Sequence, residues 1–184
     1  MNSRDKILQS VRKNLPEGED LPMPRTNPPA KLDLPDRFAF HMEAIGGLAR
    51  FFPSREAALK ELEELDKDIY LRDLIRGIES NPQGKEEPEV TIVDALLAVA
   101  ENAAVYITDR EVDERSTLFL GHKLIALVPQ NNLIEDMHEA YKRVDLTAVG
   151  FGIFIAGPSA TADIAQILVR GAHGPAQMEV WLYE

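Results

Sequence analysis

The chain has 184 residues and no cysteine, with 45% hydrophobic and 28% charged residues and a net charge of -11. That length and balance suit one soluble globular domain with a single core, and the missing thiols exclude disulfides and cysteine-ligated iron–sulfur clusters within this chain. The acidic balance argues against nonspecific binding to nucleic acid or to an anionic membrane surface, although a local pocket can still oppose it and hold a small anion.

Residues 1–15 are predicted to be a short helix, with Ile7, Leu8 and Val11 on one face and Ser3 available as cap. No apolar leader core stands at the N-terminus and no stretch approaches a membrane span, so a cytoplasmic protein is expected. Pro16, Pro22, Pro24, Pro28, Pro29 and Pro35 follow with few large apolar residues between them. Residues 1–35 thus read as a helix and a proline-rich arm, and residues 36–184 as the folded domain.

Residues 36–45 are a second helix candidate, ended by Gly46-Gly47. Residues 48–52 read as a strand, and Ser54 caps a helix whose buried stripe is Ala57, Ala58, Leu62 and Leu65. A strand over 68–71, a short helix over 72–79 and a polar loop over 81–89 come next. Residues 91–99 lead into a turn and strand over 99–108, and 109–116 read as a charged hairpin loop. Two apolar runs, 117–120 and 124–128, are split by Gly121-His122-Lys123; a helix over 132–144 follows. Strands that alternate with helices define an α/β protein.

The most informative stretch is Gly157-Pro158-Ser159-Ala160-Thr161-Ala162-Asp163-Ile164, closed by Gly171-Ala172-His173-Gly174-Pro175. The apolar run 148–156 before it reads as a buried parallel strand, followed by a helix in which Ile164, Ile167 and Leu168 share one face and which Ser159 or Thr161 can cap. Residues 177–183 alternate and read as a last strand, with Met178, Val180 and Leu182 on one face. In this reading Gly157, Ser159 and Thr161 stand at a helix N-terminus, whose free N–H groups and partial positive charge suit a carboxylate or phosphate. Ordinary helix-start chemistry explains the same residues.

These residues, with Val169 at its fixed spacing, resemble the C-terminal signature of the lactate-utilization (LUD) domain family, most nearly its C type. The resemblance implies a Rossmann-like open sheet of the glucosamine-phosphate isomerase, ribose-phosphate isomerase and CoA-transferase group. It also implies an accessory or substrate-binding subunit of a system that oxidises L-lactate to pyruvate, binding a small carboxylate. Iron–sulfur clusters would then sit only in partner subunits, with no cofactor in this chain; a homo-oligomer is a further expectation. Ala100-Glu101 matches a family Ala-Glu-Thr-Gly-Thr turn, whereas Asn102-Ala103-Ala104 departs from it. That departure supports a second reading, a degenerate non-catalytic domain that serves as a structural or regulatory interaction protein. An isomerase or acyl-CoA transferase activity rests on fold analogy alone.

Three residues are candidates for proton transfer or ligand orientation: Glu101, Asp163 and His173. Each has a plainer reading beside it. Glu101 can stabilise its turn, Asp163 can answer a helix dipole, and His173 can bond the backbone of its own turn. His41, His122, His138 and His173 lack tight metal-ligand spacing. No Walker loop, dinucleotide fingerprint, nucleophile elbow or zinc motif appears.

Overall fold

The structure, a computed structural model, describes residues 2–14, 32–65, 69–145, 147–164 and 167–184; the side chains of 162–168 lie outside that description. The chain divides into two units, Met1–Ala30 and Lys31–Glu184. In the first, α1 (Ser3–Lys13) is capped by Asn2, not by Ser3: the Asn2 side chain accepts from the Asp5 N–H. The proline-rich stretch over 16–29 lies outside the described residues.

The second unit opens with α2 (Leu34–Ala44), capped by Asp33 and carrying Pro35 in its first turn, where a missing N–H costs nothing. β1 (Leu48–Phe52) leads through the Ser54 cap into α3 (Arg55–Glu63). β2 (Leu71–Asp73) and β3 (Ile78–Ser80) form a hairpin where a helix was expected over 72–79. The buried Asp73 carboxylate explains this. It accepts from the Ile75 and Arg76 N–H groups, both at 3.0 Å, and closes a turn that competes with helix.

β4 (Val90–Asp94), β5 (Leu97–Val99) and β6 (Ala104–Thr108) follow, then the short α4 (Thr117–Leu120) and β7 (Lys123–Pro129). The helix expected over 132–144 begins only at α5 (Met137–Arg143), because Leu133–Ile134 is drawn into a sheet as β8 beside β5. β9 (Gly152–Ala156), β10 (Ala160–Ile164), β11 (Ile167–Arg170) and β12 (Gln177–Tyr183) complete the chain.

The main sheet has six strands in the order β1-β12-β7-β4-β2-β3, parallel except for the edge strand β3. A second sheet has the order β8-β5-β6-β9. The two sheets pack face to face. Leu124, Ala126, Val128, Met178, Val180 and Leu182 of the first meet Ala98, Val105 and Ile107 of the second, with Phe38 and Met42 of α2 beside them. On the other face of the main sheet, Ile92, Ile125, Leu127 and Trp181 pack against Ala58 and Leu62 of α3. β7 is therefore buried on both faces, which is why it reads as an unbroken apolar run. The outer face of the second sheet buries Leu97, Val99 and Tyr106 against Ala140 of α5. Trp181 is 1% exposed; its indole N–H donates to Glu179 at 2.8 Å, and the Arg50 guanidinium lies 4.8 Å from its ring.

Candidate functional site

Two places have functional claims: the signature loop and the C-terminal rim of the main sheet. The signature does not begin a helix. Residues 160–170 form the antiparallel hairpin β10–β11, pairing Thr161 with Val169 and Ile164 with Ile167. The strand before it, β9, is antiparallel to β6 and only partly buried, so it is not the buried parallel strand expected over 148–156. The case for an anion at Gly157, Ser159 and Thr161 on a helix N-terminus thus loses its physical basis. Asp163 lies in β10, not in a helical first turn, and its side chain is outside the described residues.

The signature's visible work is to tie segments together. The Ser159 N–H donates to the Pro175 carbonyl at 2.8 Å, and its own carbonyl accepts from the Gly171 N–H at 3.0 Å. Its hydroxyl oxygen accepts from the His173 N–H at 3.3 Å. Ser159 and His173 are thereby brought together, while the His173 side chain stays exposed. Gly157 has φ +71°, and its open side is filled by Ile45 rather than by a ligand path. Glu101 belongs elsewhere: its carboxylate accepts from the Met137 N–H at 3.1 Å, at the start of α5. Next to it, the Asn102 side chain accepts from the Ala104 N–H at 3.1 Å, and Ala103 is buried with φ +56°. A depression of about 530 Å³ beside the turn 171–174 is lined by His122, His173, Glu87 and Glu89. No group of three or more metal-ligating side chains occurs among the described residues.

The rim is chemically richer. The parallel strands β1, β12, β7, β4 and β2 end together, the edge where open α/β sheets place ligands. A cleft of about 480 Å³ opens there, lined by Arg55, Asp94, Glu111, Asn132 and Tyr183 among others. Arg55 is the first residue of α3, set by the turn that leaves β1. Asp94 is the last residue of β4, and Tyr183 the last of β12. Arg55 Nη2 donates to Asp94 Oδ2 at 2.6 Å. Arg55 Nε and Asp94 Oδ1 are both buried and without a partner among the described residues. A carboxylate entering the cleft would meet a guanidinium with a donor to spare, and a hydroxyl would meet an acceptor.

Burial pushes the Asp94 carboxyl above its ordinary range against the opposing pull of Arg55; the charges of Glu111 and Asp73 add to the rise. Burial also raises the Tyr183 phenol. Glu111 is itself held, accepting from the Thr108 N–H at 2.8 Å and from its hydroxyl at 2.6 Å. Arg55, Asp94 and Tyr183 escaped the sequence reading. The signal for them was available: a polar side chain closing an apolar run, or the first residue after a capping Ser-helix turn, is what a parallel-strand rim looks like in sequence.

This open, mostly parallel α/β sheet and the signature loop define the class, and comparison with known proteins defines the family. The profile of the LUD domain matches residues 83–183, more than half of the chain, and the chain belongs to that family. It is similar to Lactate utilization protein C of Anoxybacillus flavithermus, 31% identical over 110 residues that cover 59% of this chain and 50% of that protein. The same-named protein of Shouchella clausii is 34% identical over 109 residues, 56% of this chain and 46% of that one. That of Bacillus subtilis is 30% identical over 103 residues, 53% and 43%. The chain spans about half the length of the curated relatives it matches. In structure it resembles the crystal structure of a DUF162 family protein from Deinococcus radiodurans, with TM-score 0.61 and 12% identity over 85% of this chain and 100% of that one; this likeness concerns the fold alone. No helix among the described residues is long and apolar enough to cross a membrane.

Proposed function

We propose that this chain is an accessory, ligand-binding LUD domain of an L-lactate-oxidising utilization system, acting beside partner subunits that carry the iron–sulfur clusters. The relatives' shared name supports the system. The observation that carries ligand binding is the rim cleft, where Arg55 and Asp94 each keep one buried polar atom without a partner among the described residues. In this reading Arg55 takes the carboxylate of a small acid, and Asp94 and Tyr183 orient the rest of it. Electron transfer belongs to the partners, since the chain has no cysteine to ligate a cluster.

Calorimetric titration with L-lactate and pyruvate tests this, with and without the co-expressed partner subunits. Binding by the wild-type chain that Arg55→Gln weakens about tenfold, the worth of one charge-assisted hydrogen bond, supports the reading. No heat with either acid in either setting would sink it. One observation favours the alternative, a non-catalytic interaction domain: Asn102 closes its own turn and Ala103 fills the core, so the 102–104 turn offers little to a ligand. Co-purification of partners without small-acid binding would support that alternative.

A further inference from the structure

The two edges of the main sheet differ in how they are closed. β3 is three residues long, carries Glu79 and is soon followed by Pro82, so it offers little to another strand. β1, at the other edge, has five residues and pairs only with β12 among the described residues. Its sequence is Leu48-Ala49-Arg50-Phe51-Phe52, with no proline and no bulge. Arg50, the one charge, does not guard the edge: its guanidinium lies over the Phe52 and Trp181 rings and pairs with Glu61.

Exposed apolar side chains gather on this stretch. Leu48 is 50% and Phe51 46% exposed, and Phe40 in α2 and Ile45 at its end are exposed too. β9, an edge of the second sheet, is as apolar, yet Ile153, Phe154 and Ile155 are all half-buried. The backbone of β1 has a defined outward side. The Phe52 carbonyl accepts from the Glu184 N–H, so residues 48, 50 and 52 turn their polar groups to β12. Ala49 and Phe51 turn theirs outward, where no described strand meets them.

We infer that β1 is a dimer interface, which pairs antiparallel with β1 of a second copy about a two-fold axis and joins the two main sheets into one. The residues select the register. Phe51 on the axis would set Ala49 against Pro53, which has no N–H. Arg50 on the axis would set like charges directly opposite. Ala49 on the axis avoids both. It places Arg50 opposite Leu48, and Phe51 opposite Gly47, where an aromatic ring covers a bare glycine. A two-fold interface requires a self-complementary patch. This strand supplies one without bringing like charges together, in a chain of net charge -11. The two rim clefts then point in opposite directions, because each lies beyond the C-terminal end of its own β1. The inference does not depend on lactate binding at the rim.

Sedimentation velocity of the full chain over about 1–500 μM tests this, a span suited to an interface at the small end of the usual range. Wild type is expected to pass from monomer to dimer within it. Phe51→Lys places a charge on the edge, and Ala49→Pro removes an outward N–H; each should weaken the dimer about tenfold or more. Thermal melting at the lowest concentration checks that each variant folds. Leu120→Lys, at an exposed position of α4, should leave association unchanged. Because the chain has no cysteine, a single one reports the register. The two copies of Ala49→Cys would stand about 5.5 Å apart at Cα and form a disulfide on mild oxidation. Those of Phe51→Cys would be displaced by about 13 Å along the strand and should form none. A monomer at every concentration overturns the inference and leaves the edge to a strand of another protein. A dimer that both edge variants leave intact, or a disulfide in Phe51→Cys but none in Ala49→Cys, overturns it too.

Discussion

Replacing Gly157 by alanine separates the two meanings of the signature loop. If the glycine exists to let a ligand near the backbone, Gly157→Ala costs binding; if it exists for the chain's own geometry, it costs stability. The structure supports the second. At φ +71° an alanine pays about 1–2 kcal/mol for the left-handed conformation. Its Cβ would stand 2.7 Å from Ile45 Cδ1 and from Cγ1. Ile45 is 37% exposed and can turn aside, at about 0.5–1.5 kcal/mol if it leaves its rotamer. The stiffer unfolded chain returns about 0.4–1 kcal/mol. The net loss is about 0.5–3 kcal/mol, a fall in melting temperature of roughly 1–12 °C for a chain of this size.

Gly84→Ala is the control, because Gly84 has φ +63° and nothing within 4 Å of a Cβ. It should show the backbone part alone. The excess loss at Gly157 should shrink when Ile45→Ala is added. Differential scanning calorimetry on these three variants and on Ile45→Ala alone reads both quantities. An unchanged melting temperature in Gly157→Ala, with small-acid binding abolished, would refute the structural account and restore the loop as a ligand site.

Asp94→Asn should change how stability depends on pH. The folded carboxyl titrates above the ordinary aspartate range, so the native chain holds the proton longer than the unfolded one. Its contribution is present in acid and is lost as pH rises from about 4 through the raised value. Denaturation midpoints across that window should fall less steeply in the variant; equal slopes would contradict the burial argument. Glu101→Ala removes the acceptor of the Met137 N–H and should cost about 0.5–2 kcal/mol in the same assay, with Glu101→Gln milder because its carbonyl can still accept. Leu127→Ala, at 0% exposure, should cost about 2–5 kcal/mol, whereas Leu120→Ala, at 48%, should stay within about 1 kcal/mol. Similar costs at the two leucines would mean that the core is misplaced.

The parts of the fold that could be read from sequence are those where local chemistry and tertiary packing agree. Residues 48–52, the Ser54 cap and residues 177–183 are of this kind: an apolar run or an alternation, bounded by turn residues, meets a matching partner. Misreadings fall where a side chain or a neighbouring strand outbid periodicity. Ile164, Ile167 and Leu168 have helical spacing, but Thr161, Ile164, Ile167 and Val169 are β-branched and form a hairpin once Ser159 joins its two ends. Leu133 and Ile134 would extend α5 were they not paired with Ala98 and Val99. The rim site stayed hidden for another reason. Arg55, Asp94 and Tyr183 are far apart in sequence and meet only because β1, β4 and β12 run parallel in one sheet.

That topology also gives the signature a bearing on the rim. The turn 171–174 lies where β12 begins, close to His122 and Glu89 before β7 and β4, so it occupies the opposite end of the main sheet from the cleft. Ser159 bonds to Gly171, His173 and Pro175, and the Gln177 N–H then donates to the His122 carbonyl at 3.1 Å. These bonds define where β12 enters between β1 and β7. A strand's side chains alternate faces, so a slip of one residue there would turn Trp181 and Leu182 to the wrong cores. It would also move Tyr183 away from Arg55 and Asp94. The signature loop therefore acts on the cleft by holding the register of the strand that delivers Tyr183, without contributing a group to the cleft itself.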